Sequence, residues 1–242
     1  MAPRLRVKVF NNSAAASLGR LGENLNNAGH DVRAGENSHD IEGADLVVVD
    51  SRSAGWVQGC VDKLVPFVRD KQMLLHTCLT EGTQLFDEAE LHGAIPMAAH
   101  EIMPGFWVTS ATDELGEAVV SMLLAETHDV AIPIKDSQRP RLAAAQRIFD
   151  LAQTVGFDAV ELMKEALPVA SFLFAEELEA TAETYPAPQS QEEMERFHNA
   201  ITDPAVARFY AELERRHAER TGNMEAELWA LSKTMRKDNN GF

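Results

Sequence analysis

Two short stretches put proton-handling residue types where the chain leaves an apolar run. His76-Thr77-Cys78-Leu79-Thr80-Glu81-Gly82 follows Met73-Leu74-Leu75, and His100-Glu101 follows Ile95-Pro96-Met97-Ala98-Ala99. An imidazole titrates near neutrality and can polarise or protonate a carbonyl oxygen. His76 and His100 are therefore candidate catalytic residues, although each can equally bond a backbone carbonyl and close its loop. No third ligand stands at a metal-binding spacing, so no metal site is expected. Cys78 reads as a buried, inert thiol rather than a nucleophile.

A second set of residues suits an anionic ligand. Arg6-Val7-Lys8-Val9-Phe10 alternates in period two and runs into Asn11-Asn12-Ser13, after which Ala14 to Ala28 reads as a helix. A strand–turn–helix of this kind offers unpaired N–H groups and the positive end of a helix dipole to a phosphate. The segment Asn11 to Gly19 contains no G-x-G-x-x-G, the pattern that lets a backbone approach a diphosphate. Asn12, Ser13 and Ser17 could still donate to an anion, or Ser13 could simply cap the helix. Arg33 and Glu36, after the second strand, stand where a ribose or its phosphate is read, although a charged residue leaving a strand is usually just solvated. Asp50-Ser51, after the third strand, stands where further ribose contacts occur; equally, Ser51 or Ser53 can serve only to cap the next helix. The candidate coenzyme contacts are Asn11, Asn12, Ser13, Arg33, Asp50, Ser51 and Thr77.

The elements that must position these residues alternate in the first 135 positions. Strand-like runs are expected at 5–10, 30–33, 45–50, 73–76, 95–99, 106–109 and 130–134, with helices at 14–28, 53–69, 85–91 and 114–126. Such alternation predicts right-handed crossovers and a mostly parallel, Rossmann-like α/β sheet, with ligands outside the carboxyl ends of its strands. From residue 136 to 242 the pattern turns helical: Arg139 to Met163 with an interruption at Gly156, then Phe172 to Ala182, Gln191 to Ala200, Pro204 to Arg220 and Met224 to Met235. Two domains are expected, 1–135 and 136–242.

The stretch from His76 to His100 resembles the Rossmann-like proteins of the 6-phosphogluconate dehydrogenase superfamily. Its shared pattern is strand-His-Thr-x-x-x-x-Gly followed by Ile-Pro-x-Ala-x-His, supported by Gly29-His30 and by Ala44-Asp45-Leu46-Val47-Val48. The resemblance implies a dehydrogenase scaffold, a nicotinamide coenzyme (NADP or NAD) and a small carbonyl or hydroxy-acid substrate. It also implies a homodimer paired through the helical domain, where the apolar stripe Leu142, Ile148, Leu151 and Val155 suits either an intrachain core or a dimer seam. The sequence departs from the family at the glycine fingerprint, which would fall on Asn11 to Leu18, at Glu101 in place of a proline, and near Phe149, where a polar residue is usual. Coenzyme binding is therefore expected to be weak or absent. A ligand-binding or regulatory module, or a dimeric scaffold, on the same fold is the alternative.

Composition bounds the partners. Thirty-eight acidic against 22 basic residues leave a formal charge of −16, which opposes nucleic acid and anionic membranes. No apolar run approaches the ~18 residues that cross a bilayer, and two cysteines suit a reducing compartment, so a cytoplasmic location is expected. Seven glutamates and no Lys or Arg fall between Ser171 and Glu195, a solvated face or a surface for a basic partner.

Overall fold

The computed structural model describes residues 4–12, 17–168 and 186–234. They divide into two compact units meeting at Arg139 and Pro140. Among the described residues, no helix is long and apolar enough to cross a membrane. Ser13 and the expected helix at Phe172 to Ala182 lie outside the described residues, as does much of the glutamate-rich stretch.

The first unit is a seven-stranded sheet in the order β2-β1-β3-β4-β5-β6-β7. Its strands are β1 (Arg6–Asn11), β2 (Asp31–Ala34), β3 (Leu46–Asp50), β4 (Met73–His76), β5 (Ile95–Met103), β6 (Phe106–Ala111) and β7 (Val130–Pro133). Pairing is parallel except at β5–β6. There Gly105, at φ +80, closes a tight antiparallel hairpin with a bulge near Glu101. β3 is buried at Leu46 through Val49, as its unbroken β-branched run requires of a strand covered on both faces. One face packs on α1 (Gly19–Asn27) and α4 (Glu114–Glu126) through Leu21, Leu25, Val120 and Leu124. The other packs on α2 (Ala54–Leu64) and α3 (Asp87–Glu90) through Val57, Val61 and Ala89.

Chain order reverses at β1, which has β2 on one side and β3 on the other. A ligand belongs at such a switch point, outside the carboxyl ends of the strands that flank it. The residues there are Asn11 and Asp50, which are register partners in adjacent strands.

The second unit is helical in its described part: α5 (Arg139–Ala166), α6 (Gln191–Ala200), α7 (Pro204–Thr221) and α8 (Met224–Thr234). α5 runs through Gly156 without the expected break; a side chain there would meet nothing. Its inward stripe is Ala143, Ala144, Arg147, Leu151 and Thr154. Arg147 forks onto the buried Glu214 of α7 at 2.7 and 3.0 Å, and Asp158 accepts from Arg216 of the same helix at 2.8 Å. α8 is tied to α6 through Glu195, which accepts from Trp229 Nε1 at 2.9 Å and Lys233 Nζ at 2.8 Å.

Candidate functional site

At the switch point the backbone is shaped by two glycines that the sequence reading passed over. Helix α1 starts at Gly19, five residues later than the alanine-rich run suggested. Gly19 has φ +62, a left-handed conformation that side-chain-bearing residues rarely adopt. Gly22 lies so close to β1 that a Cβ would sit 3.0 Å from Val9 Cγ2. In the register Ser17-Leu18-Gly19-Arg20-Leu21-Gly22 they have the spacing of the last two glycines of a G-x-G-x-x-G pattern, with serine at the first position. The signal was legible in the chain, a few residues beyond where it was sought.

What approaches Gly19 is a carboxylate. A Cβ on Gly19 would lie 1.8 Å from Asp50 Oδ2. The other oxygen, Oδ1, accepts from Thr77 Oγ1 at 2.5 Å. Thr77 in turn offers its carbonyl to His100 Nδ1 at 2.6 Å. Asn11 Nδ2 donates to the carbonyl of Ser17, closing the loop before α1. Asp50, Thr77 and His100 are thus linked along the carboxyl edge of β3, β4 and β5, with Asn11 the register partner of Asp50 in β1.

His76 and the loop that follows form a second, drier layer. His76 is fully buried; its Nδ1 accepts from Cys78 N–H at 3.2 Å and its Nε2 donates to the Gly82 carbonyl at 2.8 Å. Burial pushes its pKa down to about 4, so the ring is neutral at pH 7. The same loop is held from outside by the buried Arg139, whose Nε binds Asp136 at 2.8 Å, whose Nη1 binds the Leu79 carbonyl at 3.2 Å and whose Nη2 binds Ser110 Oγ. Gly82 packs on Asp136; a Cβ there would lie 2.4 Å from Asp136 Oδ1. Nothing in local sequence pairs Arg139 with Leu79, so this clamp was not readable. Cys78 is buried, its thiol against the Arg52 carbonyl at 3.5 Å and Thr80 Oγ1 at 3.2 Å, and burial raises its pKa.

The remaining candidates are placed apart. Arg33 extends from β2 and pairs with Asp31 at 3.0 and 3.1 Å. Ser51 is buried and its Oγ accepts from Ser53 N–H, the residue that caps α2. Asn12 is exposed at the end of β1. Phe149 stands 76% exposed on α5. Among the described residues no group of three His, Cys, Asp or Glu is arranged to hold a metal ion.

Residues 135–233 match the family described as 6-phosphogluconate dehydrogenase C-terminal domain-like. Among solved structures, a Bacteroides fragilis protein described as a candidate NADP oxidoreductase aligns with 95% of this chain and 98% of its own, at 12% identity and a TM-score of 0.53. That likeness shows a shared fold, a Rossmann-like sheet followed by a helical domain. A 3-hydroxyisobutyrate dehydrogenase of Mycobacterium tuberculosis aligns over 95% of this chain and 92% of its own (14% identity, TM-score 0.47). A pyrroline carboxylate reductase of Plasmodium falciparum, solved with NADP bound, aligns over 95% and 97% (9% identity, TM-score 0.47). Among curated proteins, none matches the sequence.

Proposed function

We propose that this chain is a nicotinamide-dependent oxidoreductase acting on a small carbonyl or hydroxy acid. The observation that carries this reading is the Ser17–Gly22 turn. Its positive-φ Gly19 and strand-hugging Gly22 sit at the switch point, where a dinucleotide's diphosphate meets a helix N-terminus. The backbone fits such a group, and Ser17, Gly19 and the first turn of α1 would hold it. Asp50 opposes it electrostatically, so binding is weak. When bound, the coenzyme supplies or accepts a hydride. The chain's own residues bind and orient. Thr77 holds the Asp50 carboxylate, and His76, neutral and committed to two backbone groups, positions the loop after β4. His100 is the proton-handling group, its ring oriented by the Nδ1–H bond to Thr77 O.

The test is an equilibrium titration of the full chain with NADH, followed by coenzyme fluorescence. The reading expects saturation between roughly 10 µM and 1 mM, that is ~4–7 kcal/mol, and loss of that saturation in Gly19→Val. Absence of binding at several millimolar would overturn it. One observation favours a second reading, a ligand-binding module without hydride chemistry: an internal carboxylate already lies against Gly19. Tight binding of a small uncharged ligand, with no coenzyme binding, would select it.

Pairing of two copies through the helical unit belongs to the same proposal. Val155 and Leu162, seven residues apart, leave an exposed apolar strip on α5, and closed homodimers are the commonest oligomers. Sedimentation giving a monomer at micromolar concentration would remove it.

A further inference from the structure

We propose that the turn after β2 selects NAD over NADP, with Glu36 the specificity-determining residue. This rests on the coenzyme reading above. β2 pairs with β1 up to Ala34, and Gly35 N–H continues the ladder onto the Val9 carbonyl at 2.8 Å. A Cβ on Gly35 would lie 2.3 Å from the Phe10 ring. The backbone is therefore pinned at Gly35, and the place of Glu36, one residue later, is set. Glu36 is exposed beside the switch-point strand β1. It stands ~20 residues beyond the start of the fingerprint, the spacing at which an acid takes the adenosine ribose 2′-hydroxyl.

The same turn is built against a 2′-phosphate. The Glu36 and Asn37 N–H groups, natural donors to a phosphate oxygen, both point at Asp40 Oδ2, at 2.8 and 3.0 Å. Those two bonds also hold the Asp40 carboxyl below the usual range, so its charge persists at neutral pH. Among the described residues, the cations of this turn each already have a partner. Arg33 is forked onto Asp31, Lys8 Nζ reaches the Ala34 carbonyl at 3.5 Å, and His39 pairs with Glu42 at 3.5 Å. A 2′-phosphate would add a dianion beside Glu36 and Asp40, with both turn amides occupied. A ribose hydroxyl needs only the acceptor that Glu36 supplies.

The experiment is a pair of titrations of the full chain, NADH and NADPH, at one ionic strength, repeated in Glu36→Ser. NADH should bind at least tenfold more tightly than NADPH in the unmodified chain. Glu36→Ser should shrink that ratio at least fivefold, by weakening NADH and strengthening NADPH together. Because Glu36 is exposed, circular dichroism of the variant should be unchanged. Equal or tighter NADPH binding, or a ratio unmoved by the substitution, overturns the inference while leaving the coenzyme reading intact. Binding of neither coenzyme removes both.

Discussion

Lowering the pH should weaken the N-terminal unit through His76, whose burial opposes protonation. The ring is fully buried with both nitrogens spent on backbone groups, and its pKa lies near 4 against an ordinary 6.5. The folded state therefore resists protonation more than the unfolded chain does. Between those two values the unfolded chain binds the extra proton, so stability is complete above pH ~6.5 and falls as the pH drops towards ~4. At about 1.4 kcal/mol for each pKa unit, the full loss is ~3 kcal/mol, of which ~2 kcal/mol accrues between about pH 7.5 and pH 5. The assay is urea unfolding read by tryptophan fluorescence at those two pH values, in the unmodified chain and in His76→Asn. The variant should be less stable at the higher pH by ~1–3 kcal/mol for each backbone group left unpaired. It should also lose ~2 kcal/mol less than the unmodified chain on acidification. His217, whose pKa burial also lowers, is common to both and cancels in the comparison. An equal loss in the two proteins would refute the reasoning.

Other substitutions address the remaining features. Asp50→Asn removes the charge beside Gly19 while keeping an acceptor for Thr77. A charge pair at ~5 Å is worth ~1–3 kcal/mol between water-like and protein-like screening, so NADH affinity in a titration should rise roughly tenfold. Glu214→Ala strands the buried Arg147 guanidinium and should destabilise the helical unit by ~3–5 kcal/mol, read from the unfolding transition of Trp229. Both thiols should react slowly with a thiol reagent in the native protein and fast in urea. Burial pushes Cys60 up to about 11 and raises Cys78 as well; fast native labelling would contradict that placement.

What the sequence disclosed follows from how local each signal is. The strands of the first unit are short apolar runs, and α4 was legible to the residue because Asp113 caps it and accepts from Gly116 N–H at 2.8 Å. The start of α1 was not. An Ala- and Ser-rich run reads as helix by propensity, yet the observed helix begins at Gly19, set by tertiary contacts with Val9 and Asp50 that propensity does not contain. Likewise β5 runs on to Met103 because β6 pairs with it, while the expected strand stopped at Ala99. Gly156 reads as a breaker, but α5 continues past it, where Asp158 accepts from Arg216 of α7 at 2.8 Å, against the small cost of one exposed glycine. At the site, the histidines and Asp50 were visible as residue types leaving strands. Their links, His100 to Thr77 and Thr77 to Asp50, and the Arg139 clamp join positions tens of residues apart, and no periodicity encodes them.

The most direct measurement is a crystal structure of the chain grown with NADH at saturating concentration. The account predicts electron density for the diphosphate against the backbone of Ser17 to Gly22, with the adenosine ribose hydroxyl at Glu36 and the Asp50 side chain turned from Gly19. Coenzyme density elsewhere on the chain, or Asp50 still seated on Gly19 with no coenzyme bound, would contradict it.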